Sequence, residues 1–472
     1  QKYERAARLL KNPKKGNGDL RIDWFLSATL HLRQPRNIMH YGQGFLDSIF
    51  KRHHLAAVQA VLVAFLFLVL IGYFSDNHVL QIPAAASITL LLTVFISVAA
   101  AFTLFLGNWS ILVIAILYGS INWMYQQNII DPRNKAYGLN YKAEKATYEA
   151  DSIQQLVTQR SIQKDKQQFT GILNNWKKRQ DSEKPVMFIV DVSGGGNRSA
   201  TYVMNVLQRL DSITNGRFME HTILINGSSG GMIGAAYYRE LYFQKVQGKL
   251  SAINDKQYTA NVGKDLLNPV FSSLVTRDIL SPIRKFEVGN YSYIRDRGYA
   301  FEQKLDFNTK GVLNKKVMDY RLPEEQAIIP CIFFNSTITR DARKLIVSTQ
   351  PISFMMTMAD SSREMAPIDG IDFMRFFEKQ DAENLQLLTA LRMNATFPFV
   401  LPNVELPASP DIDVMDGGIR DNYGVETSLR FIYTFKEWIR DNTSRVVLVQ
   451  IRDHPFGDWD RPYESTTISG LV

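Results

Sequence analysis

Cysteine is nearly absent from this chain of 472 residues, which contains Cys331 and no other. A single thiol excludes an internal disulfide framework and any zinc site built from several cysteines. Apolar residues flank Cys331 in the segment IIPCIFF, and we interpret it as a buried core side chain. Histidine is also scarce, with seven residues in all, so few imidazoles are available as general bases near neutral pH.

A concentrated block of charge of either sign is also missing. The formal net charge is +8, but the basic residues are scattered in short clusters such as Lys177-Lys178-Arg179. A nucleic-acid surface would favour one long basic stripe, so we expect no nucleic-acid partner. Contact with anionic lipid headgroups is the better explanation of the excess positive charge.

Charged residues are absent from two long stretches, 55–74 and 84–125. About 20 apolar residues cross a hydrocarbon core about 30 Å thick. The second stretch has room for two crossings, with Gly107-Asn108 as a tight turn between them. We therefore predict about three transmembrane helices in residues 53–125, after a basic juxtamembrane segment at 1–52. The alternative is a buried helical hairpin in a soluble protein.

The side of the membrane on which the rest of the chain lies is not decided by the flanking charges. Arg36, Lys51 and Arg52 precede the first run, and Arg133 and Lys135 follow the last one. Three crossings place these flanks on opposite faces, so both cannot satisfy the positive-inside rule. We expect an integral membrane protein, of the inner or plasma membrane in a bacterium, with the cytoplasmic side preferred for the remainder.

The rest of the chain has the composition of a globular region. Residues 126–183 are charged and rich in glutamine, and we predict a helical linker there. From 184 to 472, the apolar segments PVMFIVDVS and TILIN are each followed by a segment with helical spacing. This order predicts an α/β domain with a mainly parallel sheet and helices on its faces. AIIPCIFFNSTITRDARKLIVST adds an antiparallel hairpin, and RVVLVQIRD adds another buried strand.

The segment GSSGG, residues 227–231, fits the G-x-S-x-G pattern of a nucleophile elbow. The pattern alone is weak, but this copy lies where a strand must turn abruptly into a helix. Gly227 and Gly231 permit that turn and keep Cβ atoms away from it. The N-terminal N–H groups and positive dipole end of the helix would face Ser229, which favours an alkoxide and an oxyanion there.

Two further loops are rich in glycine. SGGGNRS, residues 193–199, could align several backbone N–H groups as an anion-binding nest or oxyanion hole. It lacks the Gly-Lys-Ser/Thr of a phosphate-binding loop, and a tight turn before a helix would explain it equally well. In MDGGIRDNYG, Asp416 is a loop carboxylate, although Asp-Gly is also common in ordinary β-turns.

Together and in this order, these segments resemble the patatin-like phospholipase family over about residues 184–455. The resemblance is carried by the glycine-rich loop with its arginine, the elbow, an Ala-Thr-x-x-Pro region and an Asp-Gly-Gly: Gly194, Gly195, Gly196, Arg198, Gly227, Ser229, Gly231, Ala395, Thr396, Pro398, Asp416, Gly417 and Gly418. It implies a three-layer α/β domain that hydrolyses acyl esters, usually of lipids, through an acyl-enzyme. It also implies that Ser229 is the nucleophile and Asp416 its base, with no metal or organic cofactor. The oxyanion hole would come from Gly194, Gly195 and Gly196.

The chain departs from the family pattern at two positions beside the oxyanion loop. Ser193 stands where an aspartate is common, and Ser199 stands where a glycine is common. Arg198 could steady the loop, bind a substrate phosphate, or cap a turn.

A histidine base is the main mechanistic alternative. His454 follows Asp416, which gives the Ser…Asp…His order of the α/β-hydrolases. His221 precedes the elbow strand and is expected at the end opposite Ser229. Met355, Met356 and Met358 are interpreted as core filling rather than as a surface for lipid entry.

We therefore expect a membrane-anchored serine lipid acyl hydrolase of the phospholipase or lysophospholipase type. Its partners would be a membrane phospholipid substrate and the bilayer, and the sequence specifies no protein partner. Two alternatives stay open. An alcohol could replace water in resolving the acyl-enzyme, which would make the protein a transacylase, or an inactive patatin fold could serve as a membrane scaffold or complex subunit.

Overall fold

The computed structural model describes residues 25–26, 31–34, 41–74, 83–127, 133–278, 284–357, 367–398 and 400–454. The chain divides into two units, Gln1–Val63 and Ala64–Val472. In the first unit, strands Phe25–Leu26 and Leu32–Arg33 pair antiparallel. The second unit contains the α/β domain.

Helices and strands are numbered here in chain order. The helices are α1 Gln43–Phe74, α2 Ala84–Leu106, α3 Ser110–Gln126, α4 Ala150–Leu156, α5 Gln159–Lys178, α6 Gly196–Ile213, α7 Phe218–His221, α8 Ser229–Val246, α9 Lys256–Val262, α10 Leu267–Ser273, α11 Arg297–Asn308, α12 Arg321–Glu325, α13 Phe373–Phe376, α14 Leu387–Asn394, α15 Gly418–Asp421, α16 Val425–Thr434 and α17 Lys436–Asn442. The strands are β1 Phe25–Leu26, β2 Leu32–Arg33, β3 Asn134–Lys135, β4 Ala146–Thr147, β5 Val186–Val192, β6 Thr222–Gly227, β7 Lys285–Val288, β8 Tyr291–Ile294, β9 Cys331–Ile338, β10 Lys344–Val347, β11 Gly370–Asp372, β12 Val404–Leu406, β13 Ala408–Ser409, β14 Ile412–Asp416 and β15 Arg445–Ile451.

Helices α2 and α3 lie in the second charge-free stretch, and α1 covers the first one but begins before it, at Gln43. The turn predicted at Gly107 is present as a single 3₁₀ turn, with a φ of +51° at that glycine. Among the residues that the structure describes, none of the helices meets the length and apolarity required for a membrane crossing. Residues 75–82 and several side chains of these helices lie outside the described residues. The three membrane spans remain a prediction.

The main sheet has the order β15-β5-β6-β9-β14-β12-β3, and β10 and β11 extend it from β9. Its first four strands are parallel, as the sequence predicts for this half of the domain. β14 runs antiparallel to both β9 and β12, so the complete sheet is mixed. The predicted hairpin is present as the antiparallel pair β9 and β10.

Helices cover both faces of this sheet. Alternate side chains of β5 point to opposite sides: Met187 and Ile189 join one buried cluster, and Val190 and Val192 join the other. Helices α5 and α16 pack on the first cluster, whereas α6 and α8 pack on the second. This arrangement confirms the three-layer α/β architecture.

The segment predicted as a linker, 126–183, is largely part of the α/β domain. Its strand β3 pairs with β12 at the edge of the main sheet, and β4 pairs with β13. Helix α5 buries Phe169, Leu173 and Trp176 in the core. Helices α4 and α5 both lie in this segment, and a domain that began at residue 184 would leave this apolar face of the core exposed to water.

The residues interpreted as core filling are buried where the structure describes them. Cys331 lies at 1% exposure at the start of β9, and Met355 and Met356 are equally buried. Met358 lies outside the described residues.

Candidate active site

The predicted elbow joins the buried strand β6 to helix α8, which begins at Ser229. Ser229 has a φ of +55°, a left-handed conformation that is uncommon for a residue with a side chain. Holding a non-glycine residue there costs on the order of 1–3 kcal/mol, and such strain concentrates at functional sites. The turn places the serine at the N-terminus of a long helix, where orphan N–H groups favour negative charge.

The glycines of the elbow are required by close backbone approach. Gly227 has a φ of +142°, and a Cβ there would overlap the carbonyl oxygen of Val192 on the neighbouring strand. A Cβ at Gly231 would overlap the carbonyl oxygen of Ser193. The elbow and the base of the glycine-rich loop therefore lie in direct contact.

Strand β9 brings the elbow and the Asp-Gly-Gly segment together. β6 runs parallel to β9 and ends with Gly227 opposite Phe334. β14 runs antiparallel to β9 and ends with Asp416 opposite Ser336. The two strands flank β9 on opposite sides and run toward each other. The β9 residues that they reach, Phe334 and Ser336, are therefore only two positions apart.

The Ser229 hydroxyl lies close to Asp416 at this point, near enough to lower the pKa of that carboxyl. The Asp416 side chain also accepts the backbone N–H of Gly418 at 2.7 Å on Oδ1. Asp416 is 3% exposed. Burial raises its pKa above the ordinary value, and the nearby Ser229 hydroxyl and the Gly418 N–H offset only part of that rise.

The Ala-Thr-x-x-Pro region supports Asp416 through the backbone. The N–H of Asp416 donates to the Thr396 carbonyl at 2.8 Å, and the N–H of Gly417 donates to the Asn394 carbonyl at 3.1 Å. The Asn394 side chain donates to the carbonyl of Gly227 at 3.1 Å and to that of Asn335 at 2.5 Å. This buried amide links the elbow strand to the segment beside Asp416, and the sequence analysis did not identify it.

The glycine-rich loop lies beside the serine, since a Cβ at Gly194 would come within 3.3 Å of Ser229 Cβ. The Gly194 N–H donates to both the carbonyl (3.3 Å) and the side-chain Oδ1 (3.1 Å) of Asn422. Gly195 and Gly196 are exposed, with φ values of +141° and +59°. Within the described residues, neither of their N–H groups donates to a protein acceptor. In the part of the chain that the structure describes, the Gly194 N–H is therefore occupied by Asn422, whereas the N–H groups of Gly195 and Gly196 are open to an acceptor from outside the protein.

Asn422 is the second residue that the sequence analysis missed. Besides holding Gly194, its backbone carbonyl accepts Ser228 Oγ at 2.7 Å. It therefore connects the glycine-rich loop, the elbow and the loop that follows Asp416. Asn422 lies in MDGGIRDNYG, just after the short helix α15, and no spacing in that segment identifies its contacts.

The two serines that depart from the family pattern hydrogen-bond to each other across the base of the glycine-rich loop. Ser199 Oγ donates to the Ser193 carbonyl at 2.7 Å, and both residues are fully buried. The contact closes the turn from β5 into α6 without the aspartate and glycine common in the family. The Ser199 departure is therefore accommodated inside the loop, whereas the buried Ser193 hydroxyl has no hydrogen-bond partner among the described residues.

The two histidines considered as alternatives lie elsewhere. His454 is 47% exposed, and its Nδ1 pairs with Asp453 Oδ1 at 2.7 Å. Among the described residues, no hydrogen bond joins it to Ser229 or Asp416. His221 ends α7 directly before β6, at the end of that strand opposite the elbow.

Comparison with known proteins agrees with this geometry. The family model described as patatin-like phospholipase matches residues 192–429, just over half of the chain. No curated protein matches. A crystal structure of VipD from Legionella pneumophila is 11% identical over 51% of this chain and 47% of that one, with a TM-score of 0.23. A TM-score that low bears on neither fold nor function. On the family match, which contains the glycine-rich loop, the elbow and the Asp-Gly-Gly segment, the chain belongs to the patatin-like phospholipase family.

Proposed function

We propose that this protein is a membrane-anchored serine hydrolase that cleaves acyl esters of phospholipids or lysophospholipids through a Ser229–Asp416 dyad and an acyl-enzyme. Membership of the family indicates lipid acyl hydrolysis in general. The mechanism, the anchoring and the phosphate-bearing substrate are the proposal.

One observation carries the dyad: a strained serine at a helix N-terminus has its hydroxyl beside a buried aspartate. A carboxylate with an ordinary pKa near 3.9 is a poor base at neutral pH. Burial raises the pKa of Asp416 and makes its carboxylate a better proton acceptor. The helix N-terminus lowers the cost of negative charge on Ser229 Oγ.

In the acylation step, Asp416 accepts the hydroxyl proton of Ser229 as Oγ bonds to the ester carbonyl carbon. The carbonyl electron pair moves to oxygen, and the N–H groups of Gly195 and Gly196 donate to the resulting oxyanion. Collapse of this intermediate breaks the ester C–O bond. The alcohol leaves with the proton that Asp416 returns to it.

The deacylation step repeats this chemistry with water as the nucleophile. Asp416 accepts a proton from water, whose oxygen attacks the acyl-enzyme carbonyl. The second tetrahedral intermediate expels Ser229 Oγ, which recovers its proton from Asp416. The products are the free fatty acid and an enzyme ready for another cycle.

Turnover by the full chain tests this proposal. The detergent-solubilised protein should hydrolyse a p-nitrophenyl acyl ester and should release fatty acid from phospholipid in mixed micelles. A folded protein that leaves both substrates intact would contradict the proposal and support a scaffold role. Transfer of the acyl group to an added alcohol, with little free fatty acid, would identify a transacylase.

Anchoring rests on the charge-free stretches, and it predicts how the protein fractionates. The full chain should stay with membranes after an alkaline carbonate wash and should need detergent for release. Leu92→Lys together with Leu112→Lys places two charges on exposed positions of α2 and α3 and should shift the protein toward the wash. Leu322→Lys, an exposed site in the α/β domain, is the matched control. Release of the unaltered chain by buffer alone would show that anchoring is wrong.

The raised pKa of Asp416 predicts the acidic limb of the pH–rate profile. Asp416 acts as a base only when it is deprotonated, so kcat/KM should rise with pH through its pKa, above the ordinary carboxyl range. The buried Asp191 could produce a second limb, since burial raises its pKa to about 7 despite hydrogen bonds from Ser428 and Asn226. Asp191→Asn should therefore keep the Asp416 limb. A profile that is flat from about pH 4 upward would exclude Asp416 as the base.

A further inference from the structure

The end of β15 brings a second carboxylate to the glycine-rich loop. The Ser193 N–H donates to the carbonyl of Ile451, the last residue of that strand, at 3.1 Å. Two residues later, the Asp453 side chain is 0% exposed, and a Cβ at Gly195 would overlap its carboxylate. Asp453 therefore packs directly on the backbone of the loop.

Asp453 is also paired at both oxygens. Oδ2 accepts Arg198 Nε at 2.7 Å, and Oδ1 pairs with His454 Nδ1 at 2.7 Å. Burial raises the pKa of Asp453, but the hydrogen bonds from His454 and Arg198 outweigh it and hold the pKa below the ordinary value. The group is a carboxylate throughout the neutral range.

Arg198 lies in the first turn of helix α6 and connects that helix to the Asp453 carboxylate. Its side chain is 72% exposed, so it is held by Asp453 rather than by burial. An exposed ion pair contributes little to stability. Asp453 is buried and also contacts Gly195. The Asp453–Arg198 pair therefore restricts the geometry of the glycine-rich loop more than it stabilises the fold.

The glycine-rich loop is thus held on both sides of the Gly195 and Gly196 N–H groups. Asn422 holds the Gly194 N–H on one side, and Asp453 holds Arg198 on the other. The N–H groups of Gly195 and Gly196 lie between these two attachments. Oxyanion donors stabilise a transition state only when they are preorganised toward it.

We propose that Asp453 is a positioning residue, which orients the Gly195 and Gly196 N–H groups toward Ser229 by packing on Gly195 and binding Arg198. The inference rests on the proposed hydrolase function. It assigns a role to a residue outside the matched segment 192–429. Ser193 stands where the family commonly has an aspartate beside this loop, and here the carboxylate comes from the end of β15 instead.

The test compares the full chain with Asp453→Ala, Arg198→Ala and the double variant, using a soluble p-nitrophenyl ester. Because misplacing oxyanion donors weakens transition-state binding, each single variant should lower kcat by about 10- to 100-fold, with KM changed by less than about threefold. If the two side chains act through one contact, the double variant should be no slower than the slower single variant. The rate of fluorophosphonate labelling should fall in parallel, because that reagent also places an oxygen in the oxyanion hole.

Conservative and neighbouring variants complete the design. Asp453→Asn keeps the size and one acceptor, so it should retain more kcat than Asp453→Ala, and it replaces that variant if the alanine protein does not fold. Arg209→Ala, on the same helix α6, is the control and should stay within about threefold of the unaltered protein.

Several outcomes would overturn the inference. One is an unchanged kcat in folded Asp453→Ala or Asp453→Asn. Another is additive losses in the double variant, and a third is a rise in KM alone, which would mean that Arg198 binds substrate directly. An unaltered chain that neither turns over esters nor reacts with fluorophosphonate would overturn the proposed function together with the inference.

Discussion

Ser229→Ala should abolish ester hydrolysis and fluorophosphonate labelling while the protein stays folded. The substitution removes the only atom that we propose to bond to the acyl carbon, so turnover should fall by at least about 10⁴-fold. The fold should survive because the elbow is shaped by Gly227 and by the buried strand β6, not by the hydroxyl. Labelling is followed by intact-protein mass, and folding is followed by the thermal transition.

Ser228→Ala is the matched control, one residue away in the same turn. Ser228 is fully buried, and its hydroxyl donates to the Asn422 carbonyl at 2.7 Å. It is therefore not presented to a substrate, and the variant should still be labelled, although more slowly if Asn422 shifts. Equal labelling of Ser229→Ala and the unaltered protein would move the nucleophile elsewhere, with Ser228 as the first candidate.

The parts of the fold that the sequence predicted are those encoded locally. The buried runs of β5 and β6, each followed by a helix, read directly as a parallel α/β unit. Pairings between distant segments were not predictable in this way: β3 joins the sheet next to β12, although about 270 residues separate them. Nothing in the two-residue strand β3 indicates its partner.

The apolar spacing of helix α5 predicts a buried face, although its overall composition is that of a solvated linker. Its polar and charged residues suggested a solvated linker, yet Phe169, Ile172, Leu173 and Trp176 follow the i, i+3, i+4, i+7 spacing of one buried face. The apolar spacing is the better guide to whether this helix is packed, because one apolar stripe is enough to pack a helix on a sheet.

The residues of the candidate site fall into the same two groups: those in local sequence patterns and those that come into contact only in the folded chain. Ser229 and Asp416 stand in recognisable local patterns, and the structure brings their side chains close together. Asn394, Asn422 and Asp453 act through side-chain contacts to segments far away in sequence. A lone amide or carboxylate in a loop has no spacing that identifies such a contact, so these three residues emerge only from the folded chain.

Asp416→Ala should lower kcat by about 10²- to 10⁴-fold, the usual contribution of a positioned general base, whereas His454→Ala should leave most activity. The reason lies in their surroundings: Asp416 lies beside the Ser229 hydroxyl, and His454 is a half-exposed side chain paired with Asp453. Asp416→Asn is a useful companion, since it keeps the size of the side chain while removing the basic carboxylate. Steady-state kinetics on a soluble ester measure all three variants.

The fold of both Asp416 variants should persist, because main-chain bonds hold this segment. The Asp416 N–H donates to Thr396 at 2.8 Å, and its carbonyl accepts Thr337 Oγ1 at 2.9 Å. Removing a buried carboxylate whose pKa is raised by desolvation also relieves an unfavourable burial. A loss in His454→Ala as large as that in Asp416→Ala, with both proteins folded, would contradict the dyad. The mechanism would then be a Ser-Asp-His triad, and His454 would have to leave Asp453 to reach Ser229 during turnover.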